Sequence, residues 1–152
     1  MNALRIGVIG VGHLGALHAK MLSAIPTANL VGVFDTDPEK ARKAAAENGT
    51  TACATLDELL GQVEAVTVAT TTTTHFEIAG QAIARGLHVF LEKPITQTVA
   101  EANQLCALAG GRKLVVQVGH IERFNPAILA LEGYDIAPLF IDTHLLAQIK
   151  PP

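Results

Sequence analysis

Leu4-Arg5-Ile6-Gly7-Val8-Ile9-Gly10-Val11-Gly12-His13-Leu14-Gly15 is the stretch that decides the fold. Its first half is a short apolar run rich in β-branched residues, read as a buried strand over Leu4–Ile9. Its second half fits G-x-G-x-x-G and opens a helix with Leu14, Leu17, Met21 and Leu22 on one stripe, ending before Pro26. A glycine-rich turn alone says little, because such turns are common. Between a buried strand and a helix it has a mechanism. Gly10 allows the tight turn, Gly12 lets the backbone approach a pyrophosphate, and Gly15 lets the helix pack closely on the strand. The first helical residues, His13 and Leu14, then present backbone N–H groups and a positive dipole to phosphate.

About 20 residues further on, Asp35 ends a second apolar run, Asn29–Phe34, where an acid accepts hydrogen bonds from an adenosine ribose. An acid there also repels a 2′-phosphate, and no arginine follows before Arg42. The cofactor expected on these residues is NAD(H), in preference to NADP(H).

Outward from this unit the pattern repeats. Asp37-Pro38 caps a helix that runs to Asn48-Gly49. A brief strand at Thr51–Cys53 precedes a helix opened by the capping box Thr55…Glu58. Ala65–Ala69 is the fourth strand, and five threonines follow, Thr70 to Thr74. Thr74…Glu77 reads as another capping box, opening a helix that stops at Gly86. Leu87–Leu91 is the fifth strand, Thr98…Glu101 caps the helix ending at Gly110-Gly111, and Leu114–Val118 is the sixth. Apolar strands alternating with helices imply an α/β fold, a doubly wound parallel (Rossmann) sheet over residues 1–119.

Residues 120–152 read differently. Asn125-Pro126 opens a short helix ending at Gly133, and residues 138–149 alternate as one long strand. The expectation is a linker helix and the first strand of a truncated second α+β domain, with the chain a fragment of a longer enzyme. A lone strand exposes its backbone edges, so it is expected to pair with the same strand of another copy in a homo-oligomer.

Charge and composition exclude several classes. The net charge is −3, with 49% hydrophobic, 16% charged and 4% aromatic residues. Arg5, Lys20, Arg85 and Arg112 are scattered singly, which argues against nucleic acid or an anionic membrane as partner. With no leader and no apolar run of spanning length, the expected location is cytoplasmic. Cys53 and Cys106 read as buried free thiols. His13, His18, His75, His88, His120 and His144 include no pair at zinc spacing, so no metal is expected.

Glu92-Lys93-Pro94 follows the fifth strand, at the carboxyl edge where such sheets bind ligands. An ammonium there can stabilise developing negative charge on a hydroxyl or move its proton. Spacing alone fits a solvated surface lysine as well. Asn125, before Pro126, likewise fits a plain helix cap.

Taken in order, the glycine turn, Asp35, the threonine run before His75, Glu92-Lys93-Pro94 and Gly119-His120-Ile121-Glu122-Arg123-Phe124-Asn125-Pro126 resemble the glucose–fructose oxidoreductase / inositol dehydrogenase (Gfo/Idh/MocA) family. The resemblance covers essentially the whole chain, and the Glu-Lys-Pro tripeptide is its most specific element. It implies that Lys93 is the active-site lysine and that Glu92 lies near the nicotinamide ribose. It also implies that Thr70, Thr71 and His75 line the nicotinamide half of the cleft. Thr71 stands where family members usually carry proline, which puts the shape of that loop in question. The run from Gly119 to Pro126 is similar to that of nucleotide-sugar 3-dehydrogenases in the family, the UDP-N-acetylglucosamine type in particular. On that similarity Arg123 and Asn125 face the substrate or nicotinamide. The activity implied is reversible hydride transfer between NAD and a carbinol of a sugar or nucleotide-sugar. A second acid/base residue is expected from a domain this chain does not include. Two other readings stay open: a non-catalytic NAD(H)-sensing module, and an NADP-dependent reductase of the same fold.

Overall fold

A computed structural model of the protein describes residues 3–135, 137–140 and 142. The described residues divide into two units between His120 and Ile121. In the first, six strands form one sheet: β1 (Leu4–Ile9), β2 (Ala28–Phe34), β3 (Thr51–Ala52), β4 (Ala65–Val68), β5 (His88–Leu91) and β6 (Val116–Val118). All neighbours are parallel, in the order β3-β2-β1-β4-β5-β6. The order reverses direction beside β1, so β1 and β4 part at their carboxyl ends and leave a crevice there.

Helices cover both faces. α1 (His13–Ala24) and α2 (Pro38–Asn48) pack on the face carrying Val8 and Val33, with Ala19, Ala44 and Ala45 in contact. α3 (Leu56–Leu60), α4 (Thr72–Ala84) and α5 (Val99–Gly110) cover the other, against Ile9, Val66, Val68, Val89 and Leu91. Burial on both faces is why β4 is buried at every residue and shows no alternation of polarity. Gly7 and Gly32 pair across β1 and β2, and Leu59 sits on both, where a Cβ on Gly7 would lie 2.8 Å from it.

The helix starts are chemically explicit. Asp37 accepts from Glu39 and Lys40 N–H groups and Pro38 is the first helical residue, while Gly49 closes α2 in the left-handed region. Those amides and the Lys40 ammonium hold the Asp37 carboxyl below its ordinary range. Thr98 and Glu101 make a full reciprocal capping box. At α3 the box is modified: Thr55 accepts from Glu58 N–H, but the Glu58 carboxylate reaches Ala54 N–H.

Two expectations about these elements fail for physical reasons. Of the stripe Leu14, Leu17, Met21 and Leu22, the first three do not face the core, being 49%, 45% and 55% exposed, while Leu22 packs against it. α1 sits on the sheet through Gly15 and Ala19 instead, at a distance that only small residues allow. The capping box Thr74…Glu77 does not form, because α4 already begins at Thr72 with Thr71 as its extended cap residue. Thr74, inside the first turn, donates back to the Thr71 carbonyl and accepts from the Thr70 hydroxyl.

Cys53 is buried, and burial raises its thiol above the ordinary range. Cys106 is exposed rather than buried, since it lies on the outer side of α5 while Leu105 packs inward.

The second unit is small. A 3-10 turn (Ile121–Phe124) leads to α6 (Pro126–Leu129), capped by Asn125, whose side chain accepts from Ala127 N–H. Of the strand expected over 138–149, residues 138–140 and 142 carry no strand, and the remainder lies outside the described residues. Among the described residues no helix is long and apolar enough to cross a membrane.

Candidate functional site

At the carboxyl edge, in the crevice between β1 and β4, lies a cavity of about 450 Å³. Its floor is the turn after β1. Gly10 has φ +80°, and a Cβ on it would fall 2.7 Å from Thr70 and 2.9 Å from the Ala69 carbonyl. Gly15 is tighter still: its Cβ would lie 1.7 Å from the Gly10 carbonyl oxygen, so α1 and the turn meet at backbone contact. Gly12 is the opposite case. A Cβ there would meet nothing within 4 Å, and the residue lines the cavity. The protein leaves this space open in front of a bare backbone.

Helix capping separates the site from the rest of the fold. α2, α3 and α5 have side-chain caps and acids in the first turn. α1 and α4, whose first residues line the cavity, have neither. The N–H groups and positive dipole ends of both therefore carry no competing side-chain acceptor, as an anionic ligand requires.

Across the cavity Asp35 marks the end of β2. Its Oδ2 accepts from Val11 N–H at 2.8 Å and its Oδ1 from Asp37 N–H at 2.9 Å. These bonds lock the carboxylate against the glycine turn while each oxygen keeps a lone pair for a ligand hydroxyl.

Of the residues singled out from sequence, Gly10, Gly12, His13, Leu14, Asp35, Thr70 and Thr71 all line this cavity. Thr36, beside Asp35, lines it too, and so do Thr74 and Ile78, which were not anticipated there. The pocket beside Asp35 and Thr36 is the one on which the NADP alternative depends, whereas Thr74 and Ile78 depended on where α4 begins. Gly15 lies behind the wall.

His75 and Glu92 do not line the cavity. His75 is 1% exposed, with Nδ1 2.9 Å from the Pro94 carbonyl and Nε2 3.1 Å from the Thr70 carbonyl. Glu92 is 7% exposed, its Oε1 3.1 Å from Nε2 of His18 on α1. Both rings serve the loops around the site rather than its surface. His18 was not singled out, because a lone histidine on a helix carries no signal until its partners are known.

Lys93 is exposed, and among the described residues its ammonium makes no hydrogen bond or ion pair. Arg123 and Asn125 belong to the second unit, both exposed, with the Asn125 amide engaged as the cap of α6 and donating to Glu122. Among the described residues no three metal-ligating side chains cluster.

The features fit a dinucleotide: an open approach at Gly12, an uncapped helix end for the pyrophosphate, and a fixed carboxylate for the ribose. Comparison with known proteins agrees. Residues 4–120 match the Gfo/Idh/MocA family model, described as an oxidoreductase family with an NAD-binding Rossmann fold. The chain is 44% identical to UDP-N-acetylglucosamine 3-dehydrogenase of Acidithiobacillus ferrooxidans over 99% of its length and 48% of that protein's. The solved structure of that enzyme superimposes with a TM-score of 0.83 at 45% identity, covering 88% of this chain and 42% of the other. GenD2 from gentamicin A biosynthesis, solved in complex with NAD, gives 0.84 at 35% identity, covering 88% and 39%. The chain spans about half the length of the curated relatives it matches. Its glycine turn, its sheet order and the match over residues 4–120 together place the chain in the Gfo/Idh/MocA oxidoreductase family, with that family's NAD-binding Rossmann fold.

Proposed function

We propose that this chain is the NAD(H)-holding half of an oxidoreductase that oxidises a carbinol of a nucleotide-sugar, of the UDP-N-acetylglucosamine 3-dehydrogenase type. The observation that carries the reading is the cavity, where the open Gly12 backbone, the uncapped start of α1 and the locked Asp35 carboxylate converge. The 44% identity to a UDP-N-acetylglucosamine 3-dehydrogenase supports the substrate class.

In this reading Gly10, Gly12, His13 and Leu14 hold the pyrophosphate through backbone N–H groups, and Asp35 accepts from the adenosine ribose. Thr70 and Thr71, on the far wall, flank the nicotinamide half. NAD(H) held by these residues would supply the hydride chemistry for the carbinol carbon. Lys93 handles the hydroxyl proton, and with no ion pair among the described residues its amine is left to the substrate. Glu92 and His75 support the loops, and Arg123 and Asn125 are assigned to substrate recognition. The second unit, from Ile121 onward, belongs to the substrate half of such an enzyme, which acts in the cytoplasm.

Calorimetric titration of the chain tests the cofactor assignment. NADH is expected to bind at least about tenfold more tightly than NADPH, the scale of one lost charge-assisted hydrogen bond plus repulsion. Asp35→Ala should narrow that ratio, and equal affinities in the unmodified chain would refute the role of Asp35. Oxidation of UDP-N-acetylglucosamine by the enzyme assembled from this chain and a substrate half tests the rest.

The reading includes a homo-oligomer. Leu139 and Phe140 are 106% and 82% exposed, apolar side chains that nothing in the described residues covers. Sedimentation of the chain beside a version ending at Gly133 should give a larger species only for the former. Two monomers would remove the oligomer.

A further inference from the structure

Two histidines, one from each face of the sheet, close on the Glu92-Lys93-Pro94 turn. His18 reaches it from α1. A carboxylate only accepts, so Nε2 carries the proton and donates to Glu92 Oε1 at 3.1 Å. Nδ1 is then free to accept from the Thr67 hydroxyl at 2.8 Å. The ring stands edge-on to Phe90, with centroids 5.6 Å apart, which fixes its plane. The second oxygen of Glu92 accepts from the Lys93 N–H at 3.2 Å. A continuous chain of bonds thus runs from β4 through α1 to the backbone of Lys93.

From the other face His75 reaches the far side of the turn, its ring between two carbonyls: the Nδ1–H tautomer donates to Pro94 at 2.9 Å, with Nε2 3.1 Å from the Thr70 carbonyl. Pro94 follows Lys93, and Thr70 is in the cavity wall. A turn that needed only to be ordered could be packed with apolar side chains. Here a buried imidazole, a partly buried one and a buried carboxylate hold it by directed bonds, while among the described residues the lysine side chain itself makes none.

We propose that His18 and His75 are positioning residues for Lys93, tying its backbone on both sides to the two helices that frame the cofactor cavity. The long lysine stem is flexible, so the place its amine can reach is set by where its backbone is held. A shift of about 1 Å at a reacting group is enough to cost about 100-fold in rate. This inference rests on the reading that Lys93 acts on the substrate hydroxyl.

Amide hydrogen exchange on the whole NADH-bound chain reads the tether directly. His18→Phe keeps a ring against Phe90 and removes both nitrogens. Lys93 amide exchange is expected to accelerate about tenfold or more, with Val8 and Val66 unchanged, as for local opening. His18→Gln, which can still donate to Glu92 from Nε2, should restore slow exchange. Thr67→Val, a milder change that frees the ring on one side, should accelerate the same amide less. His75→Leu should do so at Ile95, beyond Pro94. In the active enzyme, His18→Phe should lower kcat about tenfold or more while KM and NADH affinity stay within about twofold. Unchanged Lys93 exchange in both His18→Phe and Thr67→Val overturns the proposal. So does a loss of NADH affinity equal to the loss of kcat, which would mean general loosening of the cofactor domain. If Lys93→Met leaves kcat intact, the role given to Lys93 is wrong, whereas the exchange result still reports on the tether.

Discussion

Lys93→Met is expected to reduce turnover by about 100-fold or more, the lower end of what a positioned acid–base group contributes. The substitution keeps stem length and apolar character and removes only the amine. Lys93 is exposed and its ammonium has no partner among the described residues, so no native interaction is lost. Stability should therefore change by no more than about 0.5 kcal/mol, as for surface positions generally. NADH affinity should also hold, because Lys93 does not line the cavity. A kcat that falls while melting temperature and cofactor affinity stay put assigns the amine to the chemical step. Steady-state kinetics on the assembled enzyme with UDP-N-acetylglucosamine measures it, and an unchanged kcat removes Lys93 from the reaction.

The second large effect is at Gly15, and its contrast with Gly12 is the informative part. Alanine at a helical position gains about 1 kcal/mol over glycine from propensity. At Gly15 the new Cβ would lie 1.7 Å from the Gly10 carbonyl oxygen, which is backbone and cannot swing aside. Overpacking of that kind costs about 3 kcal/mol or more, so the clash outweighs the propensity gain. Gly15→Ala should lower the melting temperature by roughly 5–10 °C. It should also abolish measurable NADH binding, since the displaced Gly10 turn is the cavity floor. Gly12→Ala meets no protein atom within 4 Å. Losing glycine at that cap position should cost well under about 1 kcal/mol. Yet NADH affinity should drop at least about tenfold, because the methyl group occupies the approach reserved for the pyrophosphate. Thermal melts and calorimetry on the two variants separate the outcomes. A Gly12→Ala chain that binds NADH normally would show that the ligand does not approach there.

Local patterns carried most of the fold. Asp37-Pro38, Thr98…Glu101 and Gly49 each act on atoms two to four residues away, so their meaning is contained in the sequence around them. The strands were legible because burial on both faces leaves uninterrupted apolar runs. The threonine run was less so. Thr70 to Thr74 offers several equivalent cap residues, and the choice of Thr72 as the first helical residue was made by the site around Thr70 rather than by the run itself.

The inward face of α1 was misread for a related reason. Periodicity names the most apolar stripe, Leu14, Leu17 and Met21, but the distance between helix and sheet decides which stripe fits. The G-x-G-x-x-G turn brings α1 into backbone contact with Gly10, and there Gly15 and Ala19 take the inward positions, with Leu22 reaching the core nearer the helix end.

By itself, the sequence determined the doubly wound sheet, the glycine turn and the acid at the end of β2, because each follows from spacing along a single strand–turn–helix unit. Only the tertiary structure decided what Glu92, His75 and His18 do. Their partners are Lys93 and His18, Pro94 and Thr70, and Glu92 and Thr67, and most of these are far away in sequence. A side-chain hydrogen bond depends on a separation of about 3 Å and on direction. Those are fixed only when parallel strands and the helices on their two faces have packed together.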